Sequence, residues 1–296
     1  MILVTGGTGF VGTHLIRRLR AENIPVRVVV RNPGKAGLLI DLGAEIVAGD
    51  VSDKRSLESA ARGADRVVHL VGIIQEGPGV IFQEVHVDGT RNVIEAAKSA
   101  GVRHFFYQSA LGTRPGAKST YHRTKWQAEE AVCASGIPFT ILRPSLIYGP
   151  GDQFTIRLSE MIRIAPVIPV IGSGESKVQP IFIDDVVSCI LKAVTSEAFL
   201  NEIYEIGGPD QLTYEEVTTM IAEAMGVNRP ALHMPLLFVR SMVRMFEMLL
   251  PKPPVTTDQL IMLQEDNICS MRDIRESFGV EPIGFRDGLS KFIKTR

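Results

Sequence analysis

Short apolar runs alternate with amphipathic stretches along the first half of the chain. Six apolar runs, rich in Val, Ile and Phe and bounded by Gly, Pro or charged residues, predict strands over 1–5, 25–30, 44–48, 66–70, 102–108 and 137–142. Four stretches between them carry apolar residues on one helical face and predict helices over 9–22, 53–62, 82–100 and 119–135. Near-continuous apolar strands that alternate with helices are typical of parallel sheets covered on both faces. The sequence therefore predicts an α/β fold with a doubly wound parallel sheet.

The pattern changes after residue 146, and this change predicts a second domain. Residues 147–180 are rich in Gly and Pro and show no clear alternation. The rest of the chain predicts a helix over 184–195, a strand over 202–206 and a helix that begins at the capping box of Thr213 and Glu216. We expect a sheet domain formed by residues 1–146 and 177–207, and a smaller, mostly helical substrate domain formed by residues 147–176 and 208–296.

Composition and charge narrow the function classes. The 32 Lys and Arg residues balance 33 Asp and Glu residues, so the net charge of −1 gives no bulk attraction for nucleic acid. The three cysteines have no CxxC spacing and the six histidines form no HxxxH pair, so neither a disulfide framework nor a metal site is predicted. The apolar run before Thr5 is only four residues long, and no window approaches the roughly 18 apolar residues of a spanning helix. We therefore expect a cytoplasmic protein.

The strongest local signal is a glycine-rich turn between the first strand and the first helix. Its seven residues are Gly6, Gly7, Thr8, Gly9, Phe10, Val11 and Gly12. In a dinucleotide-binding turn, the first glycine permits the tight turn, the second admits the pyrophosphate, and the third allows the helix to pack closely on the sheet. The amide groups of the helix N-terminus then bind phosphate oxygens. The alternative is an ordinary strand–helix turn that needs glycine for a positive φ.

The end of the second strand indicates which dinucleotide is bound. Arg31 stands where a carboxylate would bind the ribose 2′-hydroxyl of NAD, and Lys35 follows four residues later. A guanidinium cannot accept a hydrogen bond from this hydroxyl, but it can donate two to a 2′-phosphate. The sequence therefore predicts NADP(H) in preference to NAD(H). The alternative is a solvated arginine at a strand end.

Tyr121 and Lys125 form a YxxxK motif on the helix predicted over 119–135. Because positions i and i+4 share a helical face, the phenol and the ammonium can meet one ligand. A nearby ammonium is expected to lower the pKa of the phenol from about 10 and to make it useful as a catalytic acid–base. The alternative is an ordinary surface tyrosine and lysine.

Further motifs, together with the glycine-rich turn and YxxxK, resemble the extended and atypical branches of the short-chain dehydrogenase/reductase family. They are Asp50-Val51, Leu70-Val71-Gly72 and the segments 89–92, 142–151 and 179–185. The resemblance implies a Rossmann domain in which Asp50 and Val51 meet the adenine ring, Leu70, Val71 and Gly72 pass along the cofactor, and Pro144 and Ser145 lie near the nicotinamide. It also implies that Lys125 holds the nicotinamide ribose and that Ser109 orients the substrate oxygen. Alternatively, the family's serine aligns with Ala110, and Ser109 only satisfies backbone groups.

Residues 232–250 are mostly apolar, with a narrow polar stripe of Arg240, Arg244 and Glu247. A wide apolar arc predicts a buried helix. The alternative is a face that contacts a membrane surface or another protein.

A narrower resemblance rests on the segments 109–112, 121–125, 178–185 and 253–267. They are similar to the branch of the nucleotide-binding accessory subunit of respiratory complex I and its bacterial relatives, which are usually named as nucleoside-diphosphate-sugar epimerases. Two functions follow as expectations. One is an NADP(H)-dependent oxidoreductase or epimerase acting at an oxygen-bearing carbon of an unidentified small molecule, with a nucleoside-diphosphate-sugar as one candidate and a homodimer as one assembly. The other is a non-catalytic NADP(H)-holding protein of a membrane-associated respiratory complex, peripheral to the inner face of the membrane.

Overall fold

The computed structural model describes residues 1–293, which divide into two compact units. The first unit comprises Met1–Arg143 and Val187–Tyr204, and the second comprises Pro144–Val186 and the described residues from Glu205 onwards. The chain passes from the first unit to the second after Arg143, three residues before the predicted boundary at 146. The return to the first unit at Val187 comes ten residues after the predicted boundary at 177, because the short strands between 177 and 182 pair within the second unit.

A seven-stranded sheet organises the first unit. Its strands are β1 (Ile2–Thr5), β2 (Val26–Val30), β3 (Glu45–Ala48), β4 (Arg66–His69), β5 (His104–Gln108), β6 (Phe139–Pro144) and, at one edge, β11 (Glu202–Ile206). The spatial order is β11-β6-β5-β4-β1-β2-β3, and every ladder between β3 and β6 is parallel. The predicted doubly wound parallel sheet is therefore confirmed. The strand order reverses beside β1, which is where open sheets of this type bind ligands.

Helices pack the sheet and fix the loops at its carboxyl edge. They are α1 (Phe10–Ala21), α2 (Gly37–Asp41), α3 (Lys54–Ala61), α4 (Gly89–Ser99), α5 (Thr120–Cys133) and α7 (Ile183–Thr195), with 3₁₀ turns at Pro33–Lys35 and Glu197–Phe199. A π-helical turn, Gln83–Asp88, leads directly into α4. One core cluster packs Leu3, Val67 and Phe105 of the sheet against α3, α4 and α5. Since burying each such side chain contributes about 1.5–3 kcal/mol, this core holds α4 and α5 firmly against the strands.

The second unit is built from short strand pairs and helices. Its strands are β7 (Ile147–Tyr148), β8 (Ile168–Ile171), β9 (Lys177–Val178), β10 (Ile181–Phe182), β12 (Leu212–Thr213) and β13 (Ala231–Met234), paired as β7–β10, β8–β13 and β9–β12. Its helices are α6 (Gln153–Ile164), α8 (Tyr214–Ala224), α9 (Leu236–Leu249), α10 (Thr257–Met262) and α11 (Phe285–Ser290), with a π-helical turn at Asp273–Ser277. The ring of Tyr148 packs edge-on against Phe182 and Phe285, with centroids 5.4 and 4.7 Å away.

Two helices of the second unit show what the sequence pattern did and did not reveal. The capping box is confirmed, because Thr213 N donates to Glu216 Oε2 at 2.7 Å and Glu216 N donates to Thr213 Oγ1 at 3.1 Å. Helix α6, in contrast, lies in the stretch where no regular alternation was found. Asp152 caps it by accepting from Thr155 N at 2.6 Å, and its buried residues Thr155, Leu158 and Ile162 recur at helical spacing.

The apolar segment 232–250 contains the last three residues of β13, then Pro235 and α9. The prediction of a buried helix is wrong. Of the α9 residues, all of which the structure describes, Val239 and Val243 are buried, whereas Leu237 and Met248 are 78% and 81% exposed. Among residues 1–293, no helix combines the length and the apolar character that crossing a bilayer requires.

Candidate dinucleotide-binding and catalytic site

The glycine-rich turn has the tight geometry that its sequence predicts. Gly6 has a φ of +81°, and Gly9 N donates to Gly6 O at 3.0 Å. A Cβ on Gly6 would lie 2.9 Å from the carbonyl carbon of Leu70, so the loops after β1 and β4 approach each other through bare backbone. A Cβ on Gly12 would lie 2.4 Å from Gly6 O and 2.6 Å from Gly7 Cα. Side chains at Gly6 and Gly12 would therefore push the turn apart.

The N-terminus of α1 can receive an anion. Gly9 is the N-cap, and within residues 1–293 no side chain caps this end and no acidic residue occupies its first turn. Thr8 and Gly9 are exposed, Phe10 is half-buried and Val11 is buried, so the start of the helix lies at the surface. Unsatisfied amides and the positive end of the helix dipole favour phosphate oxygens. The turn therefore fits the diphosphate of a dinucleotide.

The structure brings Arg31 and Asp50 together beyond the ends of β2 and β3. Arg31 Nε lies 4.0 Å from Asp50 Oδ2, and the Arg31 side chain is 80% exposed. Asp50 Oδ1 is already held by the amide and the hydroxyl of Ser52, at 2.8 and 2.7 Å. Lys35 is also exposed and belongs to the 3₁₀ turn that follows β2. Two cationic side chains therefore stand at the exposed edge where a 2′-phosphate was predicted, with Asp50 partly compensating Arg31.

The loop that carries Asp50 and Val51 is fixed by α4. Asn92 Nδ2 donates to Val51 O at 2.8 Å. A Cβ on Gly89 would lie 2.9 Å from Val51 Cγ2, so the glycine lets the helix approach closely. The 89–92 motif therefore holds the loop after β3 in place.

Lys125 is buried beside the loop that contains Gly72. Its Nζ donates to Gln108 O at 3.0 Å and lies 4.9 Å from the centre of the Tyr107 ring. A Cβ on Gly72 would lie 3.1 Å from the same Nζ. Burial lowers the pKa of Lys125 to about 8, although Glu129 one turn further along α5 acts in the opposite direction. The ammonium thus stands where the loops after β4 and β5 meet.

Tyr121 is enclosed by aromatic rings. The rings of Phe82, His86 and His122 contact it edge-on, at centroid distances of 6.0, 5.5 and 5.2 Å. Burial raises the pKa of Tyr121 to about 12. The expected lowering by a nearby ammonium is therefore wrong, because the cost of burying a phenolate outweighs any attraction to Lys125.

Ser109 follows β5 directly and is buried. Its amide donates to Leu142 O at 2.8 Å, and its hydroxyl donates to Thr113 Oγ1 at 3.3 Å. Because Lys125 binds the carbonyl of Gln108, the preceding residue, Ser109 and the YxxxK helix meet at the same strand end. Pro144, the last residue of β6, belongs to the second unit, and its place beside a nicotinamide stays a prediction.

His86 is a site residue that the sequence analysis missed. It is fully buried, and its Nε2 lies 3.0 Å from the amide nitrogen and 3.1 Å from the carbonyl oxygen of Ile73. Its Nδ1 lies 2.9 Å from Thr124 Oγ1 on α5. Either neutral tautomer therefore ties the backbone that follows Gly72 to the helix that carries Tyr121.

The imidazole of His86 stays neutral. Burial, followed by the nearby Lys125, lowers its pKa to about 2. The one signal in the sequence is its position, three residues before the 89–92 motif on the same predicted helix. A lone histidine without a metal-ligand partner gives no pattern that distinguishes it from a core residue.

Comparison with known proteins agrees with this geometry. The NAD dependent epimerase/dehydratase family matches residues 2–207. Over 236 residues, 79% of this chain and 74% of the relative, the sequence is 34% identical to a ceramide reductase of Caulobacter vibrioides. It is 29% identical over 225 residues, 74% of this chain but 56% of the relative, to the mitochondrial NADH dehydrogenase (ubiquinone) 1 alpha subcomplex subunit 9 of Arabidopsis thaliana.

A solved structure shares the fold. An NADPH-dependent quinone oxidoreductase from Escherichia coli, complexed with NADPH, superposes with a TM-score of 0.78 at 19% identity, covering 98% of this chain and 99% of that chain. Both predicted resemblances, to short-chain dehydrogenases/reductases and to the complex I branch, are thus confirmed. With its glycine-rich turn opening α1 and its YxxxK helix beside β5, the chain belongs to the NAD dependent epimerase/dehydratase family and has the extended short-chain dehydrogenase/reductase fold.

Proposed function

We propose that the protein is an NADP(H)-dependent oxidoreductase that reduces a carbonyl group, with Tyr121 as proton donor. The observation that carries this proposal is the buried Lys125, bound to the carbonyl of Gln108 at 3.0 Å beside the strand end that holds Ser109. An ammonium is costly to bury, and burial without a role in charge stabilisation is rare. When bound, the reduced nicotinamide supplies a hydride to the oxygen-bearing carbon.

Tyr121 and Lys125 have protonation states that suit reduction. A phenol with a pKa of about 12 is protonated near neutral pH and can donate its proton to a carbonyl oxygen that gains negative charge. Lys125, with a pKa of about 8, is mostly an ammonium at that pH and stabilises the phenolate as the proton leaves. The hydroxyl of Ser109 can exchange its 3.3 Å contact with Thr113 for the substrate oxygen.

Arg31 and Lys35 support NADP(H) as the dinucleotide, since both are exposed at the end of β2. Arg31→Asp should lower the ratio of NADPH to NADH affinity at least about tenfold, because a charged hydrogen bond contributes roughly 1.5–3 kcal/mol. The measurement is a fluorescence titration of each reduced dinucleotide. Arg17→Asp, an exposed charge reversal on α1, is the matched control and should leave the ratio unchanged. An unaltered ratio in Arg31→Asp would refute the assignment.

The substrate class is tested with the purified full chain. Oxidation of NADPH is followed with three compounds that can accept a hydride: a ceramide whose hydroxyl is oxidised to a ketone, a nucleoside-diphosphate-ketohexose and a quinone. Their classes are taken from the printed names of relatives and structural neighbours. Tyr121→Phe should abolish turnover and keep nucleotide binding, whereas Tyr204→Phe, a half-buried tyrosine outside the site, should keep both. Equal turnover by wild type and Tyr121→Phe would overturn the proposed role.

A second candidate function is a non-catalytic NADP(H)-holding protein of a membrane-associated complex. Two observations favour it: the hydroxyl of Ser109 is already paired with Thr113, and a relative is a subunit of mitochondrial NADH dehydrogenase. This function predicts that NADP(H) co-purifies and is identified by mass spectrometry of the denatured protein, but that no substrate oxidises it. Turnover that depends on Tyr121 would exclude it.

A further inference from the structure

Helix α9 exposes an apolar face that no residue of its unit up to Ile293 covers. One side of the helix packs into a small cluster, where Val239 and Val243 contact Leu260. The other side carries Leu237, Phe238, Met245, Met248 and Leu249, which are between 46% and 81% exposed. At 3.6 residues per turn, these five side chains fall within an arc of about 120°. We call them the α9 face.

The α9 face has a basic border. Arg240 and Arg244 are exposed and lie one turn apart along one edge of the arc. Arg240 Nη2 donates to the neutral Gln264 Oε1 at 2.9 Å, so its charge is uncompensated by this contact. Glu247, the acidic residue of the helix, accepts from the amide and the hydroxyl of Thr257, both at 2.7 Å, and is thereby drawn towards α10.

The loop after α9 also exposes an apolar side chain and a basic one. Leu250 is 43% exposed, and Lys252 is exposed two residues later. Ser241, the hydroxyl residue within the arc, donates to Leu237 O at 3.0 Å inside the helix. The α9 face therefore presents apolar surface and positive charge side by side.

We propose that the α9 face binds the surface of an anionic phospholipid bilayer, with the helix lying in the plane of the interface. The apolar side chains would enter the region of the acyl chains while Arg240, Arg244 and Lys252 meet the phosphates. The 14 residues of α9 extend about 21 Å, which suits a helix lying along the surface and is too short to span it. The exposed cations along one edge of the face complement the phosphates of an anionic lipid surface, whereas a second copy of this face would present charge of the same sign. The inference uses the second unit alone and is independent of the catalytic proposal.

The test is flotation of the full chain with liposomes of phosphatidylcholine alone or with phosphatidylglycerol added. We expect binding to the anionic liposomes and at least about tenfold weaker binding to the neutral ones, with the difference shrinking at high salt. Leu237→Gln/Met248→Gln should weaken binding to the anionic liposomes at least about tenfold, because two largely exposed apolar groups are lost from the interface. Arg240→Gln/Arg244→Gln should weaken it similarly, but only at low salt.

Ile164→Gln is the matched control, since Ile164 on α6 is 84% exposed and lies outside the α9 face. It should bind as the wild type does. Equal binding by Ile164→Gln and Leu237→Gln/Met248→Gln would overturn the proposal. So would a lipid-free dimer in sedimentation analysis that Leu237→Gln/Met248→Gln dissociates, because a second copy would then cover the face. An unchanged thermal unfolding midpoint verifies that the variants are folded, as is expected for exposed positions.

Discussion

Replacing His86 by Phe is predicted to loosen the cofactor loop. The phenyl ring is larger than the imidazole but keeps an aromatic face, so a small shift of the ring preserves the contacts with Tyr121 and Phe82, now 5.5 and 5.3 Å between centroids. The polar contacts cannot. Phenylalanine has no atom to replace Nε2 beside the Ile73 backbone or Nδ1 at 2.9 Å from Thr124 Oγ1.

The size of this effect follows from those contacts. A buried backbone group left without a partner costs about 1–3 kcal/mol, and the Thr124 hydroxyl loses little because it also reaches the carbonyls of Thr120 and Tyr121 at 3.0 Å. We therefore expect His86→Phe to lower the free energy of unfolding by about 1–3 kcal/mol in a urea titration. Because the freed backbone adjoins Gly72, NADPH binding should weaken about tenfold or more in a fluorescence titration.

His104→Phe is the matched control. His104 is also buried, and its Nε2 lies 2.8 Å from Thr140 Oγ1. It begins β5, roughly 13 Å along the strand from the end that precedes Ser109. This variant should lose stability and keep its nucleotide affinity. If both variants bind NADPH equally well, or if His86→Phe unfolds like the wild type, the positioning role of His86 is refuted.

Two further predictions follow from buried groups and close approaches. Burial lowers the pKa values of His69, His86 and His104 to about 3, 2 and 4. Between pH 6.5 and about 4, these histidines therefore bind protons in the unfolded chain but not in the folded chain. Each of them should lower the free energy of unfolding by about 1.4 kcal/mol for every pH unit of acidification. Urea titrations across that range measure the slope, which His104→Phe should reduce by one such increment; an unchanged slope would contradict the argument. Gly12→Ala should abolish nucleotide binding in the same fluorescence titration, since its Cβ would lie 2.4 Å from Gly6 O, whereas Gly37→Ala, with open space around it, should bind normally.

The sheet and the glycine-rich turn could be predicted because their determinants are local. Continuous apolar runs define β1 to β6, and the capping box of Thr213 and Glu216 identifies the start of α8 at Tyr214. Helix α6 was not predicted although Leu158 and Ile162 follow the cap residue Asp152 at helical spacing, because the Gly and Pro residues on both sides of this helix are typical of loops. The exposure of α9 also lies beyond sequence reasoning, because an apolar arc indicates burial without stating which half of it finds a partner.

Electrostatic properties of the site were the hardest to predict. The spacing of Tyr121 and Lys125 places both on α5, but it does not show that Phe82 and His86 enclose the phenol. That enclosure sets the direction of the pKa shift. The contact between Arg31 and Asp50 likewise joins the ends of two different strands and needs the three-dimensional fold.

The continuous helical segment 83–99 positions two loops, the one after β3 and the one after β4. Its π-helical turn places His86 against Ile73, and its α-helical part places Asn92 against the carbonyl of Val51. Each residue inserted or removed between His86 and Asn92 would rotate one anchor by about 100° relative to the other. Chimeras between members of this family should therefore exchange the segment as a block, in phase with the loops that follow β3 and β4.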